Sequence, residues 1–201
     1  MTAEMLAATP AKLAADRAAP VLVAIDGRSG SGKSTLAASV AELLGASIVS
    51  ADDFFAASLS DSDWSARTPA ERAADCLDWR RLRGDALEPL TAGRPAAWHA
   101  LDFAAGTRPD GSYALQTALT TCAATPIVLV DGAYSARPEL ADLMGFTVLV
   151  EADADVRAER LVRREAAAFL SAWQARWGAA EDHYFELVRP RSTFDLVIDG
   201  T

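Results

Sequence analysis

Only two cysteines occur in these 201 residues, Cys76 and Cys122. They form neither a metal-ligand spacing nor a disulfide framework, and both read as small buried apolar side chains. No uninterrupted apolar stretch approaches the ~18 residues that a membrane span requires. The first turns of the chain carry Glu4, Lys12, Asp16 and Arg17, which leaves no apolar signal region. Positive charge is scarce as well: 19 basic residues face 28 acidic ones, for a formal net charge of −9. Such a surface repels nucleic-acid backbones. These absences argue against a disulfide scaffold, a membrane protein and a nucleic-acid polymer as partner. They point to a cytoplasmic protein in which any small anionic ligand is held by a local basic site.

What is present is ordinary globular composition, 51% hydrophobic and 23% charged, in a chain long enough for one domain with a sizeable core. No internal repeat or low-complexity linker interrupts residues 1–201. Residues 2–19 are Ala-rich and read as a helix ended by Pro20. Val21-Leu22-Val23-Ala24-Ile25 is a continuous apolar run, as in a parallel strand covered on both faces. A glycine-rich loop follows, then a helix from Ser34 that Gly45 closes, then a strand at 47–50. Residues 56–68 read as loop. Pro69 opens a helix to about Arg83, and a shorter helix fits 85–92. Between 93 and 125, glycines and prolines punctuate two strand-like pieces, 98–103 and 113–117, which suggests a small excursion. Further strands fit 127–131, 147–151 and 194–198, with a helix over 138–144. Residues 153–189 are helical in pattern with a break near Gly178. Strands alternating with helices indicate a three-layer α/β fold on a parallel sheet of about five strands, its core at 20–55 and 126–201.

Gly27-Arg28-Ser29-Gly30-Ser31-Gly32-Lys33-Ser34 holds every defining position of a Walker A phosphate loop, between an apolar strand and a helix. In such a P-loop the backbone amides of Gly27, Ser29, Gly30, Ser31, Gly32, Lys33, Ser34 and Thr35 form an anion-binding nest at a helix N-terminus. Lys33 then reaches the outer phosphates and Ser34 places its hydroxyl on magnesium. ATP and Mg2+ are therefore the expected ligands. Magnesium takes hard oxygen donors, and two strand ends supply carboxylates: Asp52 with Asp53, and Asp131. Asp52 is placed to accept the proton of an attacking hydroxyl and to face the metal, while Asp131 suits a metal-bound water. Arg157, Arg160 and Arg164 share one helical face by their spacing. That face either meets transferring phosphate charge or is a solvated surface paired with Glu159 and Glu165. Trp98 can stack on a flat ring or simply pack. Trp173 and Trp177, one turn apart, read as a packing stripe.

With these pieces placed, the chain resembles the uridine kinase-like P-loop small-molecule kinases, which include phosphoribulokinase, pantothenate kinase and nicotinamide riboside kinase relatives. Their Asp-Ser-Phe-Tyr, whose first Asp is the base, is matched by Asp52-Asp53-Phe54-Phe55, and their Glu-Gly by Asp131-Gly132. Their lid pattern is matched by Asp153-Ala154-Asp155-Val156-Arg157-Ala158-Glu159-Arg160-Leu161-Val162-Arg163-Arg164-Glu165. The resemblance implies catalytic roles for Lys33, Asp52, Arg157, Arg160 and Arg164, a lid over about 153–178 and a substrate-covering hairpin over about 93–125. It implies acceptor contacts from Asp78 and Asp102, beside which Asp53 and Trp98 are further candidates for the acceptor side. The pattern departs at Leu101, where relatives have a tyrosine, and near Gly106, where a base-reading histidine is missing. The lid continues as 166–170 and Trp173 in place of the usual Arg-Gly. Three functions stay open: a kinase for a hydroxyl of a nucleoside or similar metabolite, a slow nucleotide switch, and a non-catalytic nucleotide binder. No guanine-reading Asn-Lys-x-Asp motif is present.

Overall fold

The computed structural model describes residues 3–164 and 176–200. In chain order the strands are β1 (Val21–Asp26), β2 (Ser47–Ser50), β3 (Ala96–Trp98), β4 (Thr120–Cys122), β5 (Ile127–Asp131), β6 (Met144–Glu151) and β7 (Leu196–Asp199). The helices are α1 (Ala3–Ala15), α2 (Lys33–Leu44), α3 (Asp61–Ala66), α4 (Pro69–Asp75), α5 (79–91), α6 (Ala154–Arg164) and α7 (176–188). Five strands form one parallel sheet in the order β2-β5-β1-β6-β7. All six residues of β1 are buried, because a central parallel strand has both faces covered.

Alternation along the strands sorts the core into layers. Val21, Val23, Ile25, Leu129, Val148 and Val150 pack on Leu6 of α1 and on Ala37 and Val40 of α2. Leu22, Val49, Val128 and Val130 face the other way, onto Leu82, Leu87 and Leu90 of α5 and Trp177 and Tyr184 of α7. Burial of each such side chain is worth about 1.5–3 kcal/mol. The expected three layers and five-stranded parallel sheet are what the chain forms. Cys76 and Cys122 are both buried and free. No described helix is long and apolar enough to cross a membrane.

Several boundaries differ from the sequence reading, each for a local reason. Residues 56–68 contain α3, which a Ser60/Asp63 capping box starts. The helix expected over 69–83 breaks at 76–78, where Asp78 accepts the Arg81 amide as a new N-cap. From there α5 runs unbroken to Thr91 through one wide turn, so the separate helix at 85–92 does not exist. Over 138–144 only a single short turn, Pro138–Leu140, forms, and Met144 already belongs to β6. In the excursion the regular pairing is Ala96–Trp98 with Thr120–Cys122, which meets the predicted pieces only at Trp98. Leu101–Leu115 and Thr107–Tyr113 are isolated bridges further out. The first helix ends at Ala15, before Pro20, and the last strand starts at Leu196. Gly178 lies inside α7 and does not break it. Residues 166–170 and Trp173 lie outside the described residues. Trp177 is buried against Trp64 and Phe55.

Candidate active site

The phosphate loop joins the end of β1 to the start of α2. The α2 amides have no partners in their own first turn and open toward the loop. Gly30 shows why this loop needs glycine: its φ is 80°, and a Cβ there would lie 2.8 Å from the Arg157 carbonyl oxygen. Ser31 is fully buried and its Oγ has no protein partner. A cavity of about 620 Å³ lies over the loop, lined among others by Gly30, Lys33, Ser34, Thr35, Arg160 and Gly200. That volume is within the range of small-molecule sites.

Three elements bring Lys33, Ser34, Asp52 and Asp131 together. Burial pushes the Asp131 carboxyl up, the Ser34 hydroxyl and Lys33 draw it back down, and Asp52 pushes it up again. Asp131 Oδ1 is buried without a partner. An orphaned carboxylate oxygen beside a serine hydroxyl is the hard-oxygen set that magnesium accepts, with water completing its shell. No cluster of three or more His, Cys, Asp or Glu exists among the described residues to suit a softer or fully protein-bound ion. The turn after β2, Ala51–Phe54, leaves Asp52 exposed. Gly132 allows that turn to close on β5, since a Cβ there would come within 2.7 Å of the Ala51 side chain.

The residues expected to touch the acceptor divide. Trp98 is only 2% exposed, stacked at a tilt on Phe54, and its indole N–H donates to Asp53 Oδ2 at 2.8 Å. Its ring is therefore packed and offers no face to a ligand, which corrects the stacking expectation. Asp53 is half-buried, with its carboxyl pushed up by burial and drawn back by the Trp98 bond. Asp78 is exposed and caps α5 with one oxygen, while Asp102 accepts the Ala105 amide at 3.0 Å. Leu101 is buried, so it lines the core rather than a ligand pocket. Arg81 holds the region together, donating to the carbonyls of His99 at 2.6 Å and Asp53 at 2.9 Å.

Of the arginines, Arg160 donates to the loop carbonyls of Gly30 (3.2 Å) and Ser31 (3.1 Å) and to Gly200 on the β7 side (2.7 Å). Arg157 donates to Ala152 at 3.2 Å and reaches Ser29 at 3.5 Å. Both thus brace the back of the loop. Arg164 ends α6, and its side chain lies outside the described structure.

Comparison with solved structures places this architecture. A possible uridine kinase from Bacillus stearothermophilus is similar at a TM-score of 0.70, with 21% identity over 98% of this chain and 97% of that one. The chain has the fold of the uridine kinase-like P-loop kinases. A candidate fructose transport system kinase from Silicibacter gives a TM-score of 0.66 at 21% identity, covering 98% and 99% of the two chains. A D-glycerate 3-kinase from Cryptococcus neoformans gives 0.64 at 12%, covering 98% and 95%. No protein-family model matches the sequence, and comparison with curated proteins gives no match.

Within this kinase fold, two carboxylates that the sequence reading passed over are buried against the phosphate loop. Asp26, fully buried at the end of β1, accepts the amides of Gly27 (2.8 Å), Tyr134 (2.9 Å) and Ala136 (3.0 Å) and the Tyr184 hydroxyl (2.9 Å). It so joins the loop, the turn after β5 and α7, and it holds Tyr134 at an unusual φ of 68°. Desolvation pushes its carboxyl up to about 6, against the pull of those donors and Lys33. An acid ending a wholly apolar strand was the available signal. The second, Glu181 of α7, is 3% exposed and accepts the Ser29 amide at 3.0 Å and hydroxyl at 2.9 Å. Nothing in the charge pattern of its helix set it apart.

Proposed function

We propose that the protein transfers the γ-phosphoryl group of ATP to a hydroxyl of a small metabolite, a nucleoside being the first acceptor to test. The observation that carries this is the meeting of Lys33 and Ser34 with Asp52 and Asp131 at the ends of three parallel strands. A nucleotide switch has no use for an exposed carboxylate beside the transferring phosphate, whereas transfer to an alcohol requires a proton acceptor there. The similar structures are described as a possible uridine kinase, a candidate fructose transport system kinase and a D-glycerate 3-kinase, and these descriptions support the reaction class while leaving the acceptor open.

In the proposed reaction the acceptor oxygen bonds to the γ-phosphorus as the bond to the β–γ bridging oxygen breaks, and the hydroxyl proton passes to Asp52. Lys33 and the loop amides hold the phosphate oxygens where negative charge spreads. Ser34 and Asp131 would hold Mg2+, which supplies charge neutralisation on the phosphates when bound. Arg160 and Arg157 hold the loop carbonyls of Gly30, Ser31 and Ser29 and so keep the nest in shape. The buried Leu101 and packed Trp98 leave little to read a base, so recognition rests on hydroxyl groups near Asp52, Asp78 and Asp102.

ADP formation measured with nucleosides, D-glycerate, fructose, pantothenate and nicotinamide riboside tests the proposal. Turnover that depends on one of them is expected, and Lys33→Ala should lower it by about two to three powers of ten. A small rate indifferent to every acceptor, or near-normal turnover in the folded Lys33→Ala protein, refutes it.

A further inference from the structure

The amides of the phosphate loop are not all aimed at a ligand. Gly27 N–H goes to Asp26, Ser31 N–H to the Arg28 carbonyl at 3.1 Å, and Ser29 N–H to Glu181. Alternate loop amides are thus held by protein acceptors. The amides of Gly30, Gly32, Lys33 and Ser34 have no acceptor among the described residues, which leaves them free for an anion. Of the three acceptors, Asp26 and Arg28 are local to the loop. Glu181 comes from α7, 152 residues along the chain.

Glu181 does not act alone on that side. Asp182 pairs with Arg28, the Arg28 guanidinium lies 5.3 Å over the Phe185 ring, and the Tyr184 hydroxyl donates to Asp26. Four neighbouring α7 residues therefore grip the first half of the loop. Asp182 is exposed and its ion pair contributes little, whereas Glu181 is nearly sealed and makes two bonds to one residue. Burying a carboxylate beside an anion site carries an electrostatic cost, and a side chain with merely structural work has no reason to bear it. We propose that Glu181 is a positioning residue for nucleotide binding: it fixes the Ser29 peptide so that the following amides face the phosphates. The proposal rests on reading the loop as a nucleotide phosphate site.

A thiol or alkyl group cannot replace an acceptor, but the amide oxygen of glutamine can accept both Ser29 donors. Glu181→Gln should therefore keep ADP affinity and the KM for ATP within about threefold of the parent. Glu181→Ala should raise both about tenfold, equivalent to 1.4 kcal/mol, with kcat at saturating ATP changed far less. In a double-mutant cycle Ser29→Ala should weaken ADP binding two- to fivefold in the parent and not at all in Glu181→Ala. Calorimetric titration with ADP reads binding without needing an acceptor, so it separates this proposal from the kinase reading. Absent turnover with the expected binding pattern leaves Glu181 in place and refutes the kinase. Unchanged ADP affinity in Glu181→Ala, or a Gln variant as impaired as the Ala variant, overturns the positioning role. If Glu181→Ala fails to fold, the Gln variant and Ser29→Ala decide: Ser29→Ala binding ADP like the parent overturns it. No ADP binding by the parent overturns both proposals.

Discussion

Asp26 offers the sharpest test of the physics beneath the phosphate loop. Its carboxyl rises from the ordinary 3.8 to about 6 because burial outweighs four donors and a nearby lysine. The folded state therefore holds a proton that the unfolded state has already lost between these values. Stability from Asp26 is fully present below pH 3.8 and is lost as pH rises through 6. At pH 4.5 it amounts to about 2 kcal/mol relative to pH 7.5, and the full span is about 3 kcal/mol. Asp26→Asn removes this titration. The asparagine oxygen can still accept from Gly27 and Tyr134, and its NH2 can donate to the Tyr184 oxygen, but the Ala136 amide loses its acceptor at about 1–3 kcal/mol. Near pH 7.5 that loss and the relief of a buried charge nearly cancel. At pH 4.5 the loss stands alone.

Urea unfolding of both proteins at pH 4.5 and 7.5 reads the difference directly, because every other group titrates alike in the two and drops out. The variant should be the less stable by about 2 kcal/mol more at pH 4.5 than at pH 7.5, or about 4–8 °C in Tm. Parallel stability profiles for parent and variant would refute the reasoning. They would mean that Asp26 stays ionised throughout and that its donors outweigh its burial.

Two further outcomes follow from the acceptor side. Asp52→Asn should leave ADP affinity near that of the parent while transfer falls by about two or more powers of ten, and Asp53→Asn should do less; rates of both variants at saturating ATP check this, and a more damaging Asp53→Asn moves the base by one residue. Trp98→Phe keeps the Phe54 contact and removes the indole N–H from Asp53, so it should cost about 1–2 kcal/mol of stability with kcat/KM changed less than about threefold; a large change in acceptor KM with unaltered stability would return Trp98 to the ligand.

The readable parts of this chain were those whose determinants lie within a few residues. A five-residue apolar run, a glycine loop and a helix closed by Gly45 sit within 21–45, and their pattern alone placed them. The helix breaks were harder. Residues 69–83 keep a helical composition throughout, and only the side chain of Asp78, bonded to the Arg81 amide, shows that a new helix begins there. At 60–63 the capping signal was present in Ser60 and Asp63 but was masked by polar neighbours. The hairpin register depended on Thr120–Cys122, which has no strong strand pattern of its own. For Trp98 the sequence left stacking and packing both open, because an indole with a distant partner at Asp53 looks, in sequence, like an indole with none. Glu181 and Asp26 were missed for the same reason, since their partners are brought together only by the sheet order.

A difference in where the defining pattern lies separates the two halves of the site. The phosphate half is spelled out by β1, the glycine loop and the start of α2, which α6, α7 and the turn after β5 then brace from far along the chain. The acceptor half carries no such pattern and is held by scattered contacts: the Arg81 guanidinium on the carbonyls of Asp53 and His99, the Trp98 indole on the Asp53 carboxylate, Leu101 N–H on the Asp53 carbonyl, and Asp78 N–H on the Phe54 carbonyl. These contacts fix the turn without engaging the Asp52 carboxylate, which stays exposed. Because those contacts ask little of the side chains at 99–117, the hairpin can exchange residues without moving the Asp52 turn. Acceptor choice can therefore change in this fold while Lys33, Ser34, Asp52 and Asp131 stay where they are. That is the physical reason the loop is so plainly legible here while the acceptor has to be found by experiment.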